Sequence, residues 1–131
     1  MSDAPRFFNP SSIAAPNSRY SHAVALPLSA RRLVISGQVG VRPDGTVPEG
    51  LEAQAEAAWD NLEAILAEAG MGVNDLVKTT VFCTQPGSVA VVRRVRERRL
   101  NGHAPTSTYL EVAGLASPAF LFEIEAEAVK P

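Results

Sequence analysis

At 131 residues the chain fits one domain, 1–131, with no room for a separate cofactor module. Its composition, 46% hydrophobic and 20% charged, is that of a globular protein, and a net charge of −2 removes any global attraction to nucleic acid or anionic membranes. The single cysteine, Cys83, excludes an intramolecular disulfide and points to a reducing compartment.

Residues 1–18 read as a largely irregular segment: a loose tail, room for a short strand at 6–9, then a loop rich in Pro, Ser and Asn. The segment has no apolar core of the kind a signal peptide needs, and no run approaches the ~18 apolar residues of a membrane span, so the cytoplasm is the expected location. Residues 20–28 and 31–38 predict two strands joined by a tight turn into a hairpin. Pro43-Asp44-Gly45 then marks a turn. From about 49 to 69 the apolar period changes to three and four, with Leu51, Ala55, Ala58, Trp59, Leu62, Ile65 and Leu66 on one stripe and carboxylates largely between them. That pattern predicts an amphipathic helix with Gly70 as its stop.

The β-branched run 77–84 predicts a strand, and Ser88 an N-cap for a second helix reaching Leu100 and ended by Asn101-Gly102. Strands over 106–112 and 120–130 complete the order β-β-α-β-α-β-β. This defines an α+β fold: one mixed sheet with both helices packed on one face. In the last strand Phe122, Ile124, Ala126 and Ala128 alternate with Glu123, Glu125, Glu127 and Val129. The helix-distal face is therefore partly apolar and partly carboxylate. Such a face suits a subunit interface better than open solvent.

Four segments in order resemble the Rid family of reactive-intermediate deaminases, also known as YjgF or L-PSP-like proteins. They are Arg19-Tyr20-Ser21-His22, Ile35-Ser36-Gly37-Gln38-Val39, Val77-Lys78-Thr79-Thr80-Val81-Phe82 and Phe122-Glu123-Ile124-Glu125-Ala126, with Gln54, Ala55, Asn61 and Leu62 in family-like places between. The resemblance covers nearly the whole chain from Arg19 onward. It implies a chorismate-mutase-like fold, a homotrimer, small-molecule clefts between subunits, no metal or organic cofactor, and hydrolysis of enamines or imines. It also implies a Pro-x-Arg segment whose guanidinium grips the substrate carboxylate. Here that stretch is Pro105-Thr106-Ser107-Thr108-Tyr109, so the arginine position is Ser107. Neither Ser107 nor Tyr109 carries a charge, so the standard 2-imino acid is not the expected substrate, and Ser107→Arg is the natural attempt at rescue. The resemblance implies that Tyr20, Ser36 and Gly37 line the cleft beside Ser107 and Tyr109, and that Glu123 handles water.

The same residues also admit plainer roles. Glu123, Glu125 and Glu127 could be charges guarding a solvated strand, and Ser36-Gly37 a simple strand end with a bulge. Cys83 has no base beside it and reads as a core thiol. No Cys/His spacing resembles a zinc set, so no metal is expected. Arg93, Arg94, Arg96, Arg98 and Arg99 crowd the second helix. That helix must bury Val89, Val92 and Val95, which leaves the arginines as its wet face or as intersubunit ion pairs. No aromatic interleaving accompanies them, which argues against nucleic acid. Three functions stay open: a Rid-like hydrolase, a non-catalytic ligand-binding or regulatory trimer, and, more weakly, an RNA-acting protein.

Overall fold

The computed structural model describes residues 4–131. Six strands and two helices follow in the order β1 (Arg6–Phe8), β2 (Ala23–Ala25), β3 (Arg31–Val39), α1 (Leu51–Glu68), β4 (Leu76–Cys83), α2 (Val89–Leu100), β5 (Thr106–Glu111) and β6 (Phe122–Lys130), with a 3-10 turn at Val73–Asp75. The main sheet has the order β3-β6-β4-β5. β6 runs antiparallel to both its neighbours, and β4 and β5 are parallel. A parallel pair needs a long crossover, and α2 supplies it.

The α+β expectation of two helices on one face of a mixed sheet is met. Leu51, Ala55, Ala58, Trp59, Leu62 and Leu66 of α1 are buried at the spacing the sequence shows, packed with Leu76, Val81, Phe122, Ile124 and Ala126 of the sheet. Each large side chain so buried contributes roughly 1.5–3 kcal/mol before entropy is counted. α1 stops where Gly70 turns left-handed at φ 72°. The Met71 N–H then donates to the Leu66 carbonyl and the Gly70 N–H to Ala67, closing the end in a Schellman arrangement.

One local expectation is corrected and another is met in part. Residues 20–28 do not form a hairpin with 31–38: β2 is only three residues long and pairs antiparallel with β1, in a separate two-stranded sheet. Pro27 has no N–H to give a ladder, and residues 28–30 turn away from extended geometry. Ser88 takes the expected N-cap position of α2, but its side chain makes no capping hydrogen bond. It already sits in helical geometry (φ −79°, ψ −5°), and its hydroxyl donates to the Gln85 carbonyl in the preceding turn.

The N-terminal pair of strands is tied down at the far end of the main sheet. The Ser21 N–H donates to the Pro105 carbonyl, the Ser21 hydroxyl to Ala104, and Phe7 meets His103 edge-on with ring centroids 5.3 Å apart. These ties carry residues 18–22 to the start of β5.

Candidate functional site

One group of the expected residues sits on the helix-distal face. Phe122 and Ile124 are fully buried towards the helices, so Glu123 between them projects the other way. Its neighbours in register are Val39 of β3 and Phe82 of β4. Between Ile35 and Gln38 the β3 ladder shifts by one residue, a bulge that contains Ser36 and Gly37. The bulge brings the Gly37 backbone under the Glu123 carboxylate. A Cβ there would meet the Glu123 side chain, so any larger residue would have to push the carboxylate aside. Glu123 also lines a shallow cavity of about 280 Å³ with Phe82, Val112, Leu115 and Glu125.

A second group, Tyr20, Ser107 and Tyr109, gathers around another cavity of about 170 Å³, whose walls also include Ser18, Val92, Arg93 and Arg96. Ser107 lies opposite Thr79 in the parallel ladder and accepts its hydroxyl at 3.3 Å. It also accepts Nη1 of Arg96 at 3.2 Å, while Nη2 of Arg96 donates to the Ser18 hydroxyl at 3.3 Å. Tyr109 donates to Glu111 at 2.7 Å, and Glu111 in turn accepts the Gly87 N–H at 2.9 Å. Burial, reinforced by the bond to Glu111, pushes the Tyr109 hydroxyl up to about 12, so it remains a neutral donor at physiological pH. Tyr20 stacks edge-on against His22, whose ring is held by the Ala14 carbonyl.

These two groups lie on opposite faces of one sheet. Ser107 reaches the buried Thr79 and α2, whereas Glu123 faces away from both helices. The six expected residues therefore fall into two candidate half-sites in one chain.

Two residues that sequence reasoning placed only by resemblance turn out to brace the first half-site. Asn61 donates to the carbonyls of Val39 and Val41, pinning the end of the bulged strand to α1. The buried Gln54 amide donates to Pro48 and Ala119 and accepts the Leu121 N–H, which fixes the segment leading into Glu123. Gly40 lets β3 approach α1 this closely, since a Cβ would lie 2.5 Å from the Gln54 carbonyl oxygen.

Arg94 and Arg98 of α2 lie on the expected exposed face, whereas Arg96 does not. Arg94, Arg98 and Arg99 pair within the chain with Glu52, Glu56, Asp60 and Glu63 of α1. Arg96 is 7% exposed. A purely apolar count of the helix could not find it, because its long stem packs like an aliphatic chain. Cys83 is fully buried, and burial pushes its thiol up to about 11, far from a nucleophile's range. Among the described residues no three His, Cys, Asp or Glu side chains come together as metal ligands.

A four-stranded mixed sheet backed by two helices, with a bulge-seated carboxylate on its open face, defines the class of small α+β proteins to which the sequence motifs point. The chain belongs to the Endoribonuclease L-PSP family, whose profile matches residues 11–130. It is 39% identical over 102 residues to the 2-iminobutanoate/2-iminopropanoate deaminase of Escherichia coli K12, covering 75% of this chain and 79% of that protein. Among solved structures it resembles the Rid-family protein YyfB of Yersinia pestis, with a TM-score of 0.85 and 30% identity over 96% of this chain and 98% of that one. It also resembles E. coli TdcF with bound serine, with a TM-score of 0.72 and 29% identity over 96% and 99% of the two chains. No helix among the described residues is long and apolar enough to cross a membrane.

Proposed function

We propose that the protein is a homotrimer that binds a small polar metabolite in clefts between copies and hydrolyses an enamine or imine there, in the cytoplasm. The observation that carries this is the split site: Glu123 with Ser36 and Gly37 on one sheet face, and Tyr20, Ser107 and Tyr109 on the other. One ligand meets both groups only where two copies abut. The open face supplies surface for such a contact, with Val34 67% and Leu110 44% exposed beside the carboxylates. The E. coli relative acts on 2-imino acids, and the TdcF structure holds an amino acid, so a small nitrogen-bearing metabolite fits the family.

In this scheme water adds to the C=N carbon and loses its proton to the Glu123 carboxylate. That proton passes to nitrogen to give a carbinolamine; its hydroxyl proton then moves to nitrogen as the C–N bond breaks, releasing ammonia and leaving a carbonyl product. Ser36, Tyr20 and Tyr109 orient the substrate. Ser107 removes the strand-borne cation, so the relatives' carboxylate grip is not reproduced at that position. The three α2 arginines already paired with α1 are poor candidates for phosphate contacts, which weakens an RNA-acting role.

Light scattering combined with an ammonia-release screen of enamines and imines tests the proposal. A trimer with turnover is expected, and Glu123→Gln should lower turnover by about 10²–10⁴-fold while the trimer persists. Glu127→Gln should stay near the wild-type rate, because Glu127 is paired with Arg32 at the opposite end of β6. A concentration-independent monomer would overturn the proposal. Tight binding without turnover would favour a regulatory, non-catalytic trimer.

A further inference from the structure

We propose that Arg96 is the anion-recognising residue of the cleft and that its ligand is a small carboxylate, held from α2 rather than from β5. The five arginines of α2 divide sharply. Arg94, Arg98 and Arg99 each reach a carboxylate of α1, whereas among the described residues Arg93 and Arg96 make no ion pair, and both line the cavity with Tyr20, Ser107 and Tyr109. A buried guanidinium normally comes with a counter-charge, because leaving water is costly for an unpaired ion. Arg96 is more than nine-tenths buried, yet both its recorded partners, Ser18 and Ser107, are neutral hydroxyls. Its Nε has no hydrogen-bond partner among the described residues. The two serines orient the group without neutralising it, and each Nη keeps one further N–H.

The remaining donors define the ligand. Two adjacent N–H groups match the two oxygens of a carboxylate, the geometry in which arginine binds best. The half-buried Arg93 adds a second positive charge beside it. The cavity, about 170 Å³, is small. A recess of this size seats the carboxylate end of a small acid, with the remainder extending into the proposed cleft. Tyr20, Val89 and Val92 wall its apolar end. Ser107 is essential to this arrangement, since a larger side chain there would displace the guanidinium it now holds. The assignment rests on the proposed cleft and names its ligand class.

Calorimetric titration of the full-length protein with 2-oxobutanoate, its neutral amide and inorganic phosphate tests the assignment. The acid should bind the wild type, with the amide and phosphate each at least about tenfold weaker. Arg96→Met should lose about tenfold or more in affinity for the acid, Arg96→Lys should keep part of it, and Arg94→Met should leave it unchanged. Because a buried variant could unfold, the Arg96 Nε–H resonance of the wild type is followed in parallel and should shift on adding the acid. Wild-type affinity in a folded Arg96→Met, equal binding of acid and amide, or no binding and no shift would each overturn the assignment. If the acid fails to bind while neutral imines are still turned over by a trimer, only the assignment falls. If the protein is monomeric, the cleft itself falls.

Discussion

The Glu123 carboxylate occupies the space that a side chain on Gly37 would fill: a Cβ there would lie 1.8 Å from Oε2 and 2.7 Å from Cδ. The β3 bulge and the last strand thus hold the acid against bare backbone, where it can turn only away from Gly37 and towards the open face. Positioning of this kind converts a surface glutamate into a directed one.

Gly37→Ala is therefore expected to push the carboxylate aside and to reduce whatever hydrolysis the protein performs nearly as far as Glu123→Gln does. Gly37 does not adopt a positive φ, so alanine brings no backbone strain. It is also exposed, and its obstacle is the end of a flexible side chain, so the stability cost should stay below about 1 kcal/mol. Melting curves and initial rates on the same preparation check both halves. Full activity in Gly37→Ala would show that the seating of Glu123 is irrelevant to the chemistry.

The pairing of Arg96 with Ser107 changes what an arginine at 107 should do. Ser107→Arg alone places a second cation where Nη1 of Arg96 stands 3.2 Å from the serine oxygen. Two like charges that close repel by about 1–4 kcal/mol in a partly buried setting. The single variant should be less stable and no better at hydrolysing 2-iminobutanoate. Adding Arg96→Met should recover the melting temperature, and the double variant, with its cation moved to β5, should hydrolyse 2-iminobutanoate better than the single variant does. Additive effects on stability would mean that the two positions do not interact.

Alkaline pH offers an independent check on the core. Burial raises the Cys83 thiol from 9.0 to about 11, with Glu111 adding to the shift. The unfolded chain then loses this proton first, so the associated stability is fully present below about pH 9 and disappears as the pH climbs through 11. A two-unit shift corresponds to at most about 3 kcal/mol. Tyr109, raised from 10.0 to about 12, adds a loss that begins one unit higher. Urea titrations of the wild type should show falling stability from pH 9 upward, and Cys83→Ala should flatten the curve between 9 and 11. An unchanged slope in that variant would place the thiol in contact with water.

Much of the fold was legible because its elements obey simple periods. The stripe of α1, its stop at Gly70, the β-branched run of β4 and the alternation of β6 all appear in the structure within a residue or two. The β2 pairing was not legible, since one proline and a turn outweighed the local strand propensity and the partner lay some fifteen residues upstream rather than in the next strand. The site residues were legible only as motifs. Which of them touch depends on the β3 bulge and on which sheet face each strand residue takes. Arg96 was hidden by its type: an arginine in a run of arginines looks solvated, and only tertiary packing shows which one faces inward.

The separation of the two half-sites across one sheet has a consequence at the level of mixed populations. A copy carrying Glu123→Gln is damaged only on its open face, and a copy carrying Arg96→Met only beside α2. Neither forms a working cleft with its own kind. Shuffled together, the two impaired proteins should regenerate about one intact cleft in four, because in the proposed trimer each cleft would draw one face from each of two neighbours. The mixture should thus be more active than either preparation alone. Failure of the mixture to gain activity, after exchange of subunits has been verified, would mean that one copy supplies both residues of each cleft.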